Sequence, residues 1–284
     1  MTFLLLVATR NMSNSGPIGV FDSGLGGLSV LRDLRDLLPS EDVLYYADNA
    51  YCPYGLRSQA EIQTRSRLIT SLLVERGAKA IVVACNTASS MAITDLRLHF
   101  PGLDIIGLEP AVKPAVGLTR SGKVGVLATP RTVAGERLRW LIETHAGGVE
   151  VHTVAATGLV ELVESGIIAG PAVTDALRPL LDPMIDVGVD VIVLGCTHYP
   201  FLRSGIETYM GPGTPVIDSG EAIARRTHHV LEAAGLLATT QGAGTLRVMT
   251  SATVSEVEPV ARFLIGQPVD VVTVPVEEMV SGRS

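Results

Sequence analysis

Short apolar runs of strand length alternate along the chain with longer segments of helical period. The runs lie at Ile18 to Phe21, Val43 to Tyr46, Ala80 to Ala84, Ile105 to Leu108, Val124 to Leu127, Val151 to Ala155, Val191 to Leu194 and Pro215 to Ile217. Nearly continuous apolar character, in place of strict alternation, marks strands buried on both faces, as in a parallel sheet. Between them, Leu28, Leu31, Leu34 and Leu38 define one amphipathic helix, and Leu68, Leu72 and Glu75 lie on another. Strand and helix in alternation predict βαβ units, hence an α/β protein whose parallel sheets carry helices on both faces.

The strand-turn elements also repeat. Ile18-Gly19-Val20-Phe21-Asp22-Ser23-Gly24 resembles Val124-Gly125-Val126-Leu127-Ala128-Thr129-Pro130, and Val82-Val83-Ala84-Cys85-Asn86-Thr87 resembles Val193-Leu194-Gly195-Cys196-Thr197-His198 at nearly the same separation. Buried parallel strands look alike in general, but a cysteine at the same strand end of both repeats is a stronger coincidence. Two similar doubly wound domains related by a pseudo-two-fold are expected. Residues 17–115 and 216–284 would form the first, carrying Cys85, and residues 116–215 the second, carrying Cys196. Open α/β sheets bind ligands beyond the carboxyl ends of their strands, so both thiols would face a cleft between the domains.

Composition narrows the class. A chain of 284 residues, 47% hydrophobic and 18% charged, is long enough for a large core. A formal charge of -7 without clustered Lys or Arg argues against a sequence-independent nucleic-acid binder, which must neutralise phosphates, and favours a small-molecule substrate. The apolar stretch from Phe3 to Ala8 is too short for a signal peptide or a membrane span, and residues 1–16 are expected to be a loosely ordered leader. Cys52, Cys85 and Cys196 form neither a CxxC pair nor a zinc-ligand spacing, so no disulfide framework and no metal are expected, and the setting would be cytoplasmic.

Each of the paired cysteines follows an apolar strand and precedes small polar residues: Asn86, Thr87 and Ser89 after Cys85, and Thr197 and His198 after Cys196. If helices start there, unpaired N–H groups and the helix dipole would lower each thiol from about 8.5 toward neutrality and suit it to carry a proton. A single buried cysteine is as often an apolar filler. Two at matching strand ends, both set among hydrogen-bond donors, point to chemistry. The glycines Gly24, Gly26 and Gly27 do not continue into a G-x-G-x-x-G fingerprint, because Ser29 stands where the last glycine belongs, so no nucleotide cofactor is implied.

Phe21-Asp22-Ser23-Gly24-Leu25-Gly26-Gly27-Leu28-Ser29-Val30, Pro53-Tyr54-Gly55, Ala84-Cys85-Asn86-Thr87-Ala88-Ser89 and Leu194-Gly195-Cys196-Thr197-His198-Tyr199-Pro200 together resemble the signature blocks of glutamate racemases, in the same order and at similar spacing, from Pro17 to Thr227. The resemblance implies a cofactor-independent enzyme that interconverts L- and D-glutamate, with Cys85 acting on D-glutamate and Cys196 on L-glutamate. It further implies that Asp22 and Ser23 bind the substrate and that Asp22 influences the Cys85 thiol. Pro53, Tyr54 and Gly55 would close on a substrate carboxylate. Asn86, Thr87, Thr129, Thr132 and Thr197 would be substrate contacts, and His198 and Glu164 auxiliary groups for Cys196. Such an enzyme supplies D-glutamate for peptidoglycan and is expected to act as a homodimer.

Each role has a plainer competitor. Asp22 and Ser23 can cap a helix starting near Gly26, Thr129 and Thr132 can cap the next helix, and Glu161 and Glu164 share one helix face that can simply be solvated. The sequence also departs from the family pattern. Thr157 and Gly158 replace a usual Cys-Pro pair, Tyr51 stands where many members carry Arg, and Cys52 has no matching role.

Three other functions compete with this reading. A racemase or isomerase of the same fold acting on aspartate or another small diacid is disfavoured because aspartate-specific relatives tend to carry Glu where this chain has His198. A thiol hydrolase or transferase would pair one cysteine with His198, but side chains so close in sequence usually diverge after a strand. A binding protein for acidic amino acids leaves the doubled cysteines unexplained.

Overall fold

The computed structural model describes residues 14–239 and 242–276. In chain order its elements are β1 (Ile18–Asp22), α1 (Leu28–Leu37), β2 (Val43–Ala47), α2 (Gln59–Glu75), β3 (Ala80–Val83), α3 (Asn86–His99), β4 (Asp104–Gly107), α4 (Val112–Leu118), β5 (Lys123–Ala128), α5 (Pro130–Val133), α6 (Glu136–His145), β6 (Glu150–Ala155), α7 (Leu159–Glu164), α8 (Pro171–Asp186), β7 (Val191–Gly195), α9 (Arg203–Met210), β8 (Val216–Ile217), α10 (Gly220–Ala233), β9 (Leu246–Thr250), α11 (Val254–Ile265) and β10 (Val271–Thr273).

Two all-parallel sheets result. The first has the order β10-β9-β2-β1-β3-β4 and the second β6-β5-β7-β8. The order β2-β1-β3-β4 recurs as β6-β5-β7-β8, so the repeat seen in the sequence is a repeat of topology, and β3 and β7 occupy the same place in their sheets. Each sheet is covered on both faces. In the first, Val20, Tyr45 and Val82 pack toward α1, α10 and α11, while Phe21, Tyr46 and Val83 pack toward α2 and α3. In the second, Leu127, Ile192 and Leu194 face α7, α8 and α9, while Val126, Val191 and Val193 face α4 and α6. Neighbouring residues point to opposite faces, which is why the strands read as unbroken apolar runs.

The structure departs from expectation in three places. Val216 and Ile217 pair with β7, so this strand belongs to the second sheet and the expected change of unit at residue 216 comes too early. No strand was expected beyond Ile217, yet β9 and β10 extend the first sheet past β2. Leu246 is only partly buried and Arg247 interrupts the apolar run of β9, and β10 is a three-residue edge strand, so neither carries the pattern of a central strand. Of the expected leader, residues 1–13 lie outside the described residues; the backbone carbonyl of Asn14 accepts a hydrogen bond of 2.8 Å from the Lys79 ammonium.

Candidate active site

Both paired cysteines sit just past the carboxyl ends of equivalent strands, Cys85 after β3 and Cys196 after β7, and both are buried. Cys85 is the N-cap of α3, where its sulfur accepts a hydrogen bond from the Ala88 N–H at 3.4 Å. That donor favours the thiolate, but it does not win. Burial and then the neighbouring Asp22 charge push the Cys85 thiol well above its ordinary range, and nearby Cys196 adds to the rise. The expected lowering at this position is thereby reversed.

Cys196 is placed differently. It is followed by a short 3-10 turn, Tyr199–Leu202, which leads into α9, so the expected helix start immediately after it is absent. Its partner is His198, whose Nδ1 lies 3.7 Å from the Cys196 sulfur. On the other side of the ring, Nε2 lies 2.6 Å from Glu164 Oε1. The Gly26 N–H also points at Nε2 from 3.2 Å, but a nitrogen that donates to Glu164 cannot accept there, and the shorter charge-assisted contact prevails. Burial works against a charged imidazole, yet hydrogen bonds to Cys196, Cys52 and Glu164 outweigh it and raise His198 well above the usual histidine value.

Asp22 ends β1 fully buried and joins the two halves. One carboxylate oxygen accepts from the Ser23 N–H at 2.7 Å and the other from the Gly27 N–H at 2.7 Å and the Thr197 hydroxyl at 3.2 Å. Burial raises this carboxyl, against the lowering by His198, Cys85 and the two N–H groups. Asp22 takes the N–H of Gly27, the residue preceding α1, and hydrogen-bonds Cys85, but it does not cap α1, which has no side-chain cap.

The three glycines after Ser23 are explained by what presses on them, Glu164 and His198 from the second half and Tyr45 from the first. A Cβ on Gly24 would stand 2.2 Å from Glu164 Oε1, one on Gly26 would stand 2.1 Å from His198 Nδ1, and one on Gly27 would stand 2.8 Å from the Tyr45 hydroxyl. Only glycine lets these side chains approach so closely.

Glu164 closes α7 and is held by three partners: His198, the Leu25 N–H at 2.6 Å and the Asn49 amide at 2.6 Å. Glu161, by contrast, is exposed, so the solvated-face reading applies to it and not to Glu164. Gly158, the residue before α7, adopts φ of 83°, a conformation closed to proline. The replaced Cys-Pro pair thus changes the entry to the helix while its last residue still reaches the cleft.

Thr87, Thr129 and Thr132 form a triangle of hydroxyls across the two halves, with Thr87 to Thr129 at 2.9 Å, Thr129 to Thr132 at 3.0 Å and Thr87 to Thr132 at 3.4 Å. Thr129 also caps α5. Asn86 is buried beside them, and its carboxamide oxygen has no hydrogen-bond partner among the described residues. Pro53, Tyr54 and Gly55 belong to a loop tied down by the buried Asp48. Tyr54 donates to Asp48 at 2.6 Å and Arg65 of α2 grips it with bonds of 2.9 and 2.7 Å. Tyr51 lies under the Arg65 guanidinium, 3.8 Å from its ring centre, and Gly55 abuts Thr129.

A cavity of about 10 Å³ touches Asn86, Cys196 and Thr197. A separate cavity of about 1160 Å³ lies along the edge strands β4 and β8 and helix α10, and neither thiol lines it.

Residues 18–227 match the Asp/Glu/Hydantoin racemase family. The chain belongs to this family. Among curated relatives of the racemase, a glutamate racemase of Herpetosiphon aurantiacus is 52% identical over 83% of this chain and 92% of its own length, and one of Pseudomonas aeruginosa is 46% identical over 89% and 96%. Among solved structures, the glutamate racemase of Francisella tularensis in complex with D-glutamate superposes with a TM-score of 0.82 at 28% identity, covering 93% of this chain and 99% of that one. The Escherichia coli enzyme, solved with L-glutamate and the activator UDP-MurNAc-ala, gives 0.80 at 35% identity, covering 91% and 97%.

Several residues of this racemase's cleft were not named as site residues from its sequence. Asn49, Arg65 and Tyr45 hold the loops, and only their distant partners give them meaning. Cys52, expected to be a bystander, stands within reach of both His198 and Glu164. Burial pushes its thiol up to about 12, so it is a neutral neighbour of the relay.

Proposed function

We infer that this racemase is a glutamate racemase, interconverting L- and D-glutamate by proton transfer between Cys85 and Cys196. The observation that carries the reading is the pair of buried thiols at equivalent strand ends, each with its own acid–base partner. Asp22 serves Cys85, and the His198–Glu164 couple serves Cys196. A protonated Cys85 and a thiolate at Cys196 beside charged His198 are the state that accepts L-glutamate. Cys196 takes the α-proton as the Cys85 thiol delivers its own to the opposite face, leaving Cys196 as thiol and Cys85 as thiolate. The D-enantiomer is consumed by the reverse transfer.

The α-C–H is a very weak acid, so thiolate basicity alone does not suffice. Carbanion charge must be met by fixed donors in a site without free water. Ser23, Thr87, Thr129, Thr132, Thr197 and the Tyr54-Gly55 loop provide hydroxyl and N–H groups for the two carboxylates. Asp22 and the unpartnered oxygen of Asn86 suit the substrate ammonium. Relatives of the family are solved with D-glutamate and with L-glutamate, which favours glutamate over aspartate. No described helix is long and apolar enough to cross a membrane; a cytoplasmic homodimer supplying D-glutamate for peptidoglycan completes the reading.

The test is incubation with L-glutamate in deuterium oxide without added cofactor. D-Glutamate should form and carry deuterium at early times, while recovered L-glutamate stays unlabelled. Label in both enantiomers from the outset would point to a single base, and no D-glutamate would sink the assignment. Cys85→Ala and Cys196→Ala should each abolish racemisation.

A further inference from the structure

Cys52 is the one cysteine without a part in proton transfer, yet its sulfur, a ring nitrogen of His198 and a carboxylate oxygen of Glu164 all lie within 4.8 Å of one another. A thiol, an imidazole and a carboxylate converging in this way are a zinc donor set, in which three protein ligands leave a fourth position open. We propose that Cys52, Glu164 and His198 form an inhibitory site for Zn2+, which withdraws His198 and Glu164 from Cys196 and so stops racemisation.

The surroundings suit this role. Glu164 is oriented by the Asn49 amide and the Leu25 N–H, and the Nδ1 face of His198 is engaged by Cys196. Such outer contacts fix the direction of a metal's ligands. Ligand atoms of a tetrahedral zinc are roughly 3 to 4 Å apart, given bonds of about 2.0 to 2.3 Å, so the 2.6 Å contact between His198 and Glu164 must open by about 1 Å. Glu164 and Cys52 are only partly buried, which leaves a path for the ion. The exchange balances: the proton on Cys52 and the one on His198 Nε2 go to solvent as the metal enters, and no oxidant is needed. Bound there, the cation removes the imidazolium that holds the Cys196 thiolate and occupies the carboxylate that orients it.

The inhibition arm of the test rests on the glutamate racemase reading, whereas the binding arm does not. Binding is followed with Co2+ as a spectroscopic probe, through its thiolate charge-transfer absorption. The absorption should appear in the wild type and in a Cys85→Ser, Cys196→Ser double variant, and vanish in Cys52→Ser and Cys52→Ala. In racemase assays, Cys52→Ser, its fold checked by an unchanged melting temperature, should need at least about 100-fold more Zn2+ than the wild type for half-inhibition of its own basal rate. Cobalt absorption that survives in both Cys52 variants, or that disappears with the two other cysteines, would overturn the site. So would Zn2+ inhibition of Cys52→Ser at the wild-type concentration.

Discussion

At Cys85, two local effects oppose each other: the helix N-terminus lowers the thiol, and burial beside Asp22 raises it. Burial wins, while hydrogen bonds to Cys196, Cys52 and Glu164 raise His198 beside the second thiol. Glu164, with Cys196 and Cys52, is one of the groups that raise His198. Glu164→Gln removes a contact that raises His198, so His198 should lose its proton at lower pH. The alkaline limb of kcat/KM is therefore expected to move to lower pH, with kcat/KM itself falling on the order of 10²-fold. Enantiomers have equal free energy and the equilibrium constant is one, so the fall must be equal for L- and D-glutamate; only the separate kcat and KM values are free to differ. Parallel pH profiles in both directions check this, and an unmoved alkaline limb would detach Glu164 from His198.

At the scale of elements, α1 meets the turn between β8 and α10, and Asp33 is held there against Asp218. Burial first and the Asp218 charge second raise Asp33 to about 6. A carboxyl whose folded value lies above its unfolded one favours the fold while protonated. Its contribution is fully present below about pH 4 and is lost as pH rises through about 6. Asp33→Asn should therefore raise the melting temperature by about 2 °C at pH 7.5, a modest figure because Asp33 is partly solvated. The gain should shrink to nothing near pH 4. Melting curves across that range decide the matter, and a gain independent of pH would assign the effect to packing instead. In the same way, the loop of Pro53, Tyr54 and Gly55 owes its position to α2, whose capping box of Ser58 and Glu61 starts the helix that carries Arg65 to Asp48.

For the whole molecule, the decisive feature is that each half completes the other's site. Asp22 of the first half bonds Thr197 of the second, Thr87 bonds Thr129, and Glu164 bonds Leu25 and Asn49. A ligand seated among these residues ties both halves together. Saturating glutamate of either hand, at a hundred times its Kd, should stabilise the fold by about 2.7 kcal/mol, a melting shift on the order of 5 °C. D-Alanine, lacking the second carboxylate, should give far less. Equal shifts for the two amino acids would remove the role given to the hydroxyl triangle and the Tyr54-Gly55 loop.

The sequence by itself determined the parallel α/β architecture, the twofold repeat and the two thiols, because side-chain period and strand-end position are local properties of the chain. The signature blocks carried the family for the same reason. Tertiary structure alone decided the rest. The reversal at Cys85 comes from burial, which sums over segments distant in sequence. The glycines at 24 and 26 read as turn residues until Glu164 and His198 arrive from the second half. Cys52 reads as a bystander until the same two side chains converge on it. Strands β9 and β10 lack a central strand's pattern and are fixed by pairing onto the β2 edge. Charge state, close approach and edge pairing are properties of neighbours in space, and only the fold supplies those.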